Sequence, residues 1–167
     1  MLEIRPSLPG EWSACRAFWL ERGAVEAELD KYYGNQYAPE RVIPLWDDEV
    51  LSGLLVWVPT RLRWADGGET GGACLLAVLG EGYQDVLLSY AEFYLGARAI
   101  PALTAACDLG KAGWLSGFQP GELRVAEDGP VPVQQFFPRK EGETGPAAAW
   151  FKRLPPPGLD RPCIENA

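Results

Sequence analysis

The apolar residues of this chain recur with two periods, and the changes between them mark its elements. Glu3–Pro6 reads as a short first strand, and Pro9-Gly10 turns the chain. From about Glu11 to Arg22, the residues Trp12, Cys15, Trp19 and Leu20 return every three or four positions, the spacing of one helix face; Gly23 is a stop. Ala24–Asp30 reads as a second short helix, followed by a polar aromatic loop with Tyr32, Tyr33 and Tyr37. The period then falls to two. Arg41–Trp46 and Leu51–Pro59 are strand-like runs on either side of an acidic turn, Asp47-Asp48-Glu49. Thr60–Trp64 continues the second run, with Leu62 and Trp64 alternating against Arg61 and Arg63. Ala65–Gly72 is a glycine-rich turn. Ala73–Leu79, ACLLAVL, is apolar throughout, as expected of a central strand covered on both faces.

Gly80–Asp85 interrupts that strand. Val86–Ala97 is helical in pattern, with Leu87, Leu88, Ala91, Tyr94 and Leu95 on one face and Asp85 as its N-cap. Arg98–Cys107 reads as a second buried strand, and Asp108 caps a helix to about Leu115. Leu123–Ala126 and Val131–Phe137 form a last hairpin, with Pro132 confining one strand to an edge. Trp150 and Phe151 anchor a short helix to the body. These patterns divide the chain into a folded body over 1–138, a peripheral segment over 139–154 and a Pro-rich flexible tail over 155–167. The fold class they give is α+β.

Composition narrows the chemistry. Histidine is absent, which removes Ser-His-Asp and Cys-His nucleophile pairs and every imidazole-ligated metal site. Proton transfer near neutral pH is left to a tuned carboxylate, tyrosine, cysteine, lysine or water. The four cysteines, at positions 15, 74, 107 and 163, show no CxxC spacing; the first three lie in apolar runs and read as small buried hydrophobes. Asp and Glu outnumber Lys and Arg by 23 to 15, a net charge of −8, which argues against a nucleic-acid partner. No stretch has the roughly 20 apolar residues of a membrane span, and the N-terminus lacks the basic and apolar regions of a secretion signal. The expected location is the cytoplasm.

Three stretches resemble the Gcn5-related N-acetyltransferase (GNAT) superfamily. EIRPSLPGEWSACRAFW resembles its first strand and helix, and RVIPLWDDEVLSGLLVWVP its second and third strands. CDLGKAGWLSGFQPGEL is similar to its closing motif, with Asp108 in the place of an asparagine, Trp114 near that of a tyrosine, and Gly117-Phe118 as the Gly-Phe pair. The resemblance covers about residues 2–137. It implies a mixed, mostly antiparallel twisted sheet with one central parallel pair, flanked by helices. It implies acetyl-CoA or another acyl-CoA as cofactor, lying along Leu76, Val78 and Leu79 and contacting Gly80, Gly82, Tyr83, Gln84 and Asp108. It also implies an amine partner, a small molecule or a peptide, which attacks the thioester directly.

Two positions depart from the family pattern. The coenzyme A pyrophosphate loop of the family is Arg/Gln-x-x-Gly-x-Gly/Ala, in which backbone N–H groups and a helix N-terminus face the anion. Here the loop is LGEGYQDVLL: no arginine, and Glu81 and Asp85 where the diphosphate would lie. The indole of Trp114 donates a hydrogen bond but is no practical acid. Tyr83 or Tyr94 would have to replace the family's tyrosine, unless the thiolate leaves unassisted. Glu69 is either the carboxylate that activates the amine through water or a solvated turn residue. Tyr83 is either a cleft residue at a strand end or a plain loop aromatic. The alternative function is a non-catalytic GNAT-like binding or regulatory module that has lost coenzyme A, acting as a homodimer. A third reading, an unrelated small α+β protein, would be established by a structure lacking parallel pairing between residues 74–79 and 100–106.

Overall fold

The computed structural model describes residues 1–27, 29, 38–63, 69–105, 119–123 and 148–154. Seven strands make one mixed sheet: β1 (Leu2–Ile4), β2 (Val42–Asp47), β3 (Val50–Arg63), β4 (Glu69–Leu79), β5 (Ala102–Ala105), β6 (Gln119–Leu123) and β7 (Ala148–Arg153). Their order is β1-β2-β3-β4-β5-β7-β6. Ala73–Leu75 of β4 pair in parallel with Leu103–Ala105 of β5, and the other ladders are antiparallel. The structure thus has the parallel pair whose absence would establish the third reading. The far end of β3 also meets β6, Leu62 opposite Leu123 and Arg63 opposite Glu122, so the sheet curls back on itself.

Two helices cover the two faces, and the sequence of β4 follows from that. Helix α1 (Trp12–Glu21) buries Cys15, Phe18 and Trp19 against Val42, Leu54, Val56, Val58, Cys74 and Leu76. Helix α2 (Gln84–Ala97) buries Leu87, Leu88, Ala91 and Leu95 against Ile43, Leu45, Leu55, Trp57, Leu75 and Leu103. Residues of both parities on β3 and β4 therefore leave water, at about 1.5–3 kcal/mol for each large aliphatic side chain. That is the reason ACLLAVL carries no alternation.

Polar contacts fix the first connection. The Arg5 guanidinium forks onto the Glu11 carboxylate at 2.7 and 3.0 Å, and the Leu8 N–H donates to the same carboxylate at 2.6 Å. The Arg5 contact first, with the Leu8 amide adding to it, holds Glu11 below the usual carboxylate range. The β2–β3 turn is two residues long, with Asp48 and Glu49 at φ 46° and 68°, the backbone twist that matches two antiparallel strands.

Several sequence expectations are corrected. Trp150 and Phe151 lie in strand β7, not in a helix, and β7 pairs with both β5 and β6, so the sheet extends beyond residue 138. Glu69–Gly72 open β4 and do not belong to the preceding turn; register with Arg63–Thr60 continues the β3 ladder through them. Strand β5 begins at Ala102, because Ala99 at φ 62° and the Ile100 N–H bonded to the Leu95 carbonyl still close α2. The second helix is present at Glu26, Ala27 and Leu29, where the Leu29 N–H donates to the Val25 carbonyl at 3.0 Å. The aromatic loop, the Asp108 helix, the hairpin past Leu123 and the tail lie outside the described residues.

Candidate functional site

Strand β4 is irregular near its C-terminal end. Val56 pairs with Ala77 and Trp57 with Leu75, so Leu76 is an extra residue, a β-bulge. Its imprint is visible in the core. Cys74, Leu76 and Ala77 pack on the α1 face, whereas Ala73, Leu75 and Val78 pack on the α2 face, so the bulge puts two consecutive side chains on one side. The pairing described with β5 runs to Leu75 opposite Ala105, the last residue described in that strand. Among the described residues, Leu76–Leu79 have no strand partner on that side, while Ala77–Leu79 stay hydrogen-bonded to β3 through Val56–Leu54. Among the described residues, this side of Leu76–Leu79 is a strand edge set in an apolar wall.

Strand β4 ends in a tightly packed turn. Gly80 has φ +121°, and a Cβ there would lie 2.5 Å from the Ser52 carbonyl oxygen and 2.9 Å from the Gly53 Cα. Ser52 is itself the extra residue of a bulge on β3, where Leu45 pairs with Gly53 and Trp46 with Leu51. A Cβ at Gly53 would in turn meet the Leu79 carbonyl oxygen and the Leu87 side chain at 3.1 Å. Two glycines in contact thus hold the turn against β3.

The turn uses some of its own amides. The Tyr83 N–H donates to the Gly80 carbonyl at 3.0 Å, and the Gly82 N–H donates to Gln84 Oε1 at 3.3 Å. Tyr83 occupies the N-cap position of α2, so Asp85 lies inside the first turn and is not the cap; no side chain caps this helix. The Tyr83 hydroxyl donates to Asp47 Oδ2 at 2.6 Å, tying the turn to the end of β2. This bond, with desolvation second, raises the phenol above the ordinary tyrosine range. A proton held more tightly and directed at a carboxylate makes Tyr83 a weaker acid than a free tyrosine.

The surroundings are acidic. Glu81 and Asp85 are exposed, and Asp47 and Asp48 stand at the neighbouring β2–β3 turn. The Met1 ammonium lies 2.6 Å from Asp48 and 3.8 Å from Asp47; among the described residues no lysine or arginine pairs with these four carboxylates. Likewise, no group of three or more acidic or cysteine side chains could hold a metal ion. No described helix is long and apolar enough to cross a membrane.

The structure thus brings together Leu76, Val78, Leu79, Gly80, Gly82, Tyr83 and Gln84 at one end of β4. It does not bring Glu69 there. Glu69 is the first and Leu79 the last of the 11 residues of β4, which at ~3.3 Å per residue puts them roughly 30 Å apart. Glu69 and Tyr83 cannot act on the same atom. Asp108 lies outside the described residues. Asp47 and Ser52 were missed as part of this region: in the sequence they read as a turn residue and a strand residue, whereas the Tyr83 hydroxyl meets Asp47 and Gly80 packs on the Ser52 backbone.

No protein-family model matches the chain, and no curated protein sequence does. Solved structures do. A GNAT-family acetyltransferase from Bacillus cereus superposes with TM-score 0.55 at 13% identity, over 92% of this chain and 98% of that one. N-acetylglutamate synthase from Neisseria gonorrhoeae, complexed with coenzyme A and N-acetyl-glutamate, gives 0.54 at 16% identity, over 92% of this chain. A GCN5-related N-acetyltransferase from Anabaena variabilis gives 0.55 at 11% identity, over 73% of this chain. The chain spans about a third of the length of the last two, 35% and 32%. With its mixed sheet, its single parallel pair among the described ladders and these neighbours, the chain has the fold of the Gcn5-related N-acetyltransferases.

Proposed function

We propose that this protein is a divergent N-acyltransferase that passes an acyl group from an acyl-CoA, such as acetyl-CoA, directly to an amine. The observation that carries the reading is the side of β4 from the Leu76 bulge to Leu79, which has no strand partner among the described residues and ends at the uncapped first turn of α2. An extended ligand with amide groups matches such an edge as a further strand matches a sheet. In direct transfer the amine nitrogen attacks the thioester carbonyl. A C–N bond forms and the C–S bond breaks. The electron pair leaves with sulfur, and the proton lost by the amine returns to the thiolate through solvent. No histidine is needed. Neither Glu69 nor Tyr83 is given a part at the bulge, for the reasons of distance and acidity above. Cytoplasmic location and a free or peptide amine as acceptor belong to the same proposal.

A second reading has its own support. The internal bonds of the Gly82 and Tyr83 amides and the four nearby carboxylates favour a relative that has given up coenzyme A and acts as a binding module, alone or as a homodimer. Calorimetry with acetyl-CoA at millimolar concentration separates the two. Binding heat with a rise in melting temperature supports the transferase; neither heat nor shift leaves the binding module.

A further inference from the structure

We propose, resting on the transferase reading, that the donor site selects the neutral thioester arm of its ligand and not the diphosphate, so that acyl-pantetheine thioesters are donors on a par with acyl-CoA. The argument compares the two halves of the site. The half at Leu76–Leu79, without a strand partner on one side among the described residues, is a backbone edge within an apolar wall, suited to an uncharged chain with amides. The other half lacks what an anion needs. Gly82 N–H is held by Gln84 Oε1, and Tyr83 N–H by the Gly80 carbonyl. The turn cannot open freely to release them, because Gly80 is wedged against the Ser52–Gly53 backbone and the Tyr83 hydroxyl is fastened to Asp47 at 2.6 Å. The remaining first-turn amides of α2 lie between the exposed Glu81 and the exposed Asp85. Asp85 already occupies the place where the helix dipole favours negative charge. A diphosphate arriving there meets like charge with no described arginine or lysine to offset it.

The test is calorimetry and thermal shift on the full chain with three probes: coenzyme A, pantetheine and inorganic pyrophosphate. The expected result is dissociation constants for coenzyme A and pantetheine within about threefold of each other, competition between the two, and no displacement of either by pyrophosphate. A diphosphate held by charge-assisted hydrogen bonds would instead favour coenzyme A by roughly thirtyfold or more. That preference, or displacement by pyrophosphate, overturns the inference and leaves the transferase reading standing. Binding of neither coenzyme A nor pantetheine overturns both. A further readout is salt: raising ionic strength should leave pantetheine affinity unchanged and strengthen coenzyme A binding by screening the carboxylates, whereas a diphosphate-binding loop would weaken with salt.

Discussion

Gly80→Ala tests the packing that closes the candidate site. Two separate costs apply. At φ +121° the backbone lies where side-chain-bearing residues are rarely found, a cost of about 1–3 kcal/mol. The new Cβ would also sit 2.5 Å from the Ser52 carbonyl oxygen and 2.9 Å from the Gly53 Cα. Both obstacles are backbone and cannot rotate away, so a strand must move, at about 1–3 kcal/mol for overpacking of this kind. The sum, about 2–6 kcal/mol, is a large part of the 5–15 kcal/mol typical of a whole domain. Gly82→Ala is the internal control. It shares the positive φ, at +85°, but its Cβ would have nothing within 4 Å. It should therefore lose only the first cost. Urea unfolding followed by tryptophan fluorescence gives both values on one scale. The excess loss in Gly80→Ala is the contact cost, and in thermal melts it should appear as roughly 2–12 °C beyond the control. Equal losses for the two variants would refute the claim that Gly80 is required by close approach to β3.

Three further outcomes follow from hydrogen bonds and burial. Tyr83 has a phenol raised by its bond to Asp47, so the folded state keeps this proton after the unfolded chain has lost it. Its stabilising contribution is complete below the ordinary tyrosine range and fades as pH rises through the folded value; urea midpoints should fall more steeply above pH ~10 in the parent than in Tyr83→Phe, and identical slopes would count against the bond. Burial pushes the Cys15 thiol up to about 12, so Cys15 should resist maleimide at pH ~8 in the native protein and react on unfolding, as peptide mass mapping can show. Trp57 Nε1 donates to the Glu40 carbonyl at 2.8 Å, while the Tyr94 hydroxyl reaches the same oxygen only at 3.4 Å. Trp57→Phe should cost on the order of 1–3 kcal/mol and Tyr94→Phe less than about 1, measured by the same urea titrations.

The amino-acid pattern shows how much of this was legible. Period-two runs and the unbroken ACLLAVL marked β2, β3 and β4, because burial on both faces leaves a local trace. The helix face of Trp12, Cys15 and Trp19 was legible for the same reason. Strand β7 was not. Trp150-Phe151-Lys152-Arg153 has no clear alternation, and its pairing partners, Thr104 to Ala102 and Gln119 to Glu122, are far away in sequence. A side-chain anchor of this strand, Lys152 Nζ to Glu92 at 2.7 Å, joins residues 60 apart. The N-cap of α2 was misread because Asp85 has the preferred chemistry, while the Gly80 turn sets the helix start two residues earlier. Bulges are the hardest feature of all. Nothing in Leu75-Leu76-Ala77 announces an extra residue, since all three are apolar and the shift changes only which face each one meets. Yet that one-residue shift falls directly after Leu75, the last residue of β4 described in the parallel ladder with β5. The acidic residues, by contrast, were visible as a cluster in sequence but acquired meaning only when the Ser52 bulge and the Gly53–Gly80 contact brought the Asp47 turn beside Glu81 and Asp85. Local composition thus located the charge, and tertiary register placed it at the end of β4, where the acyl-CoA donor is proposed to bind.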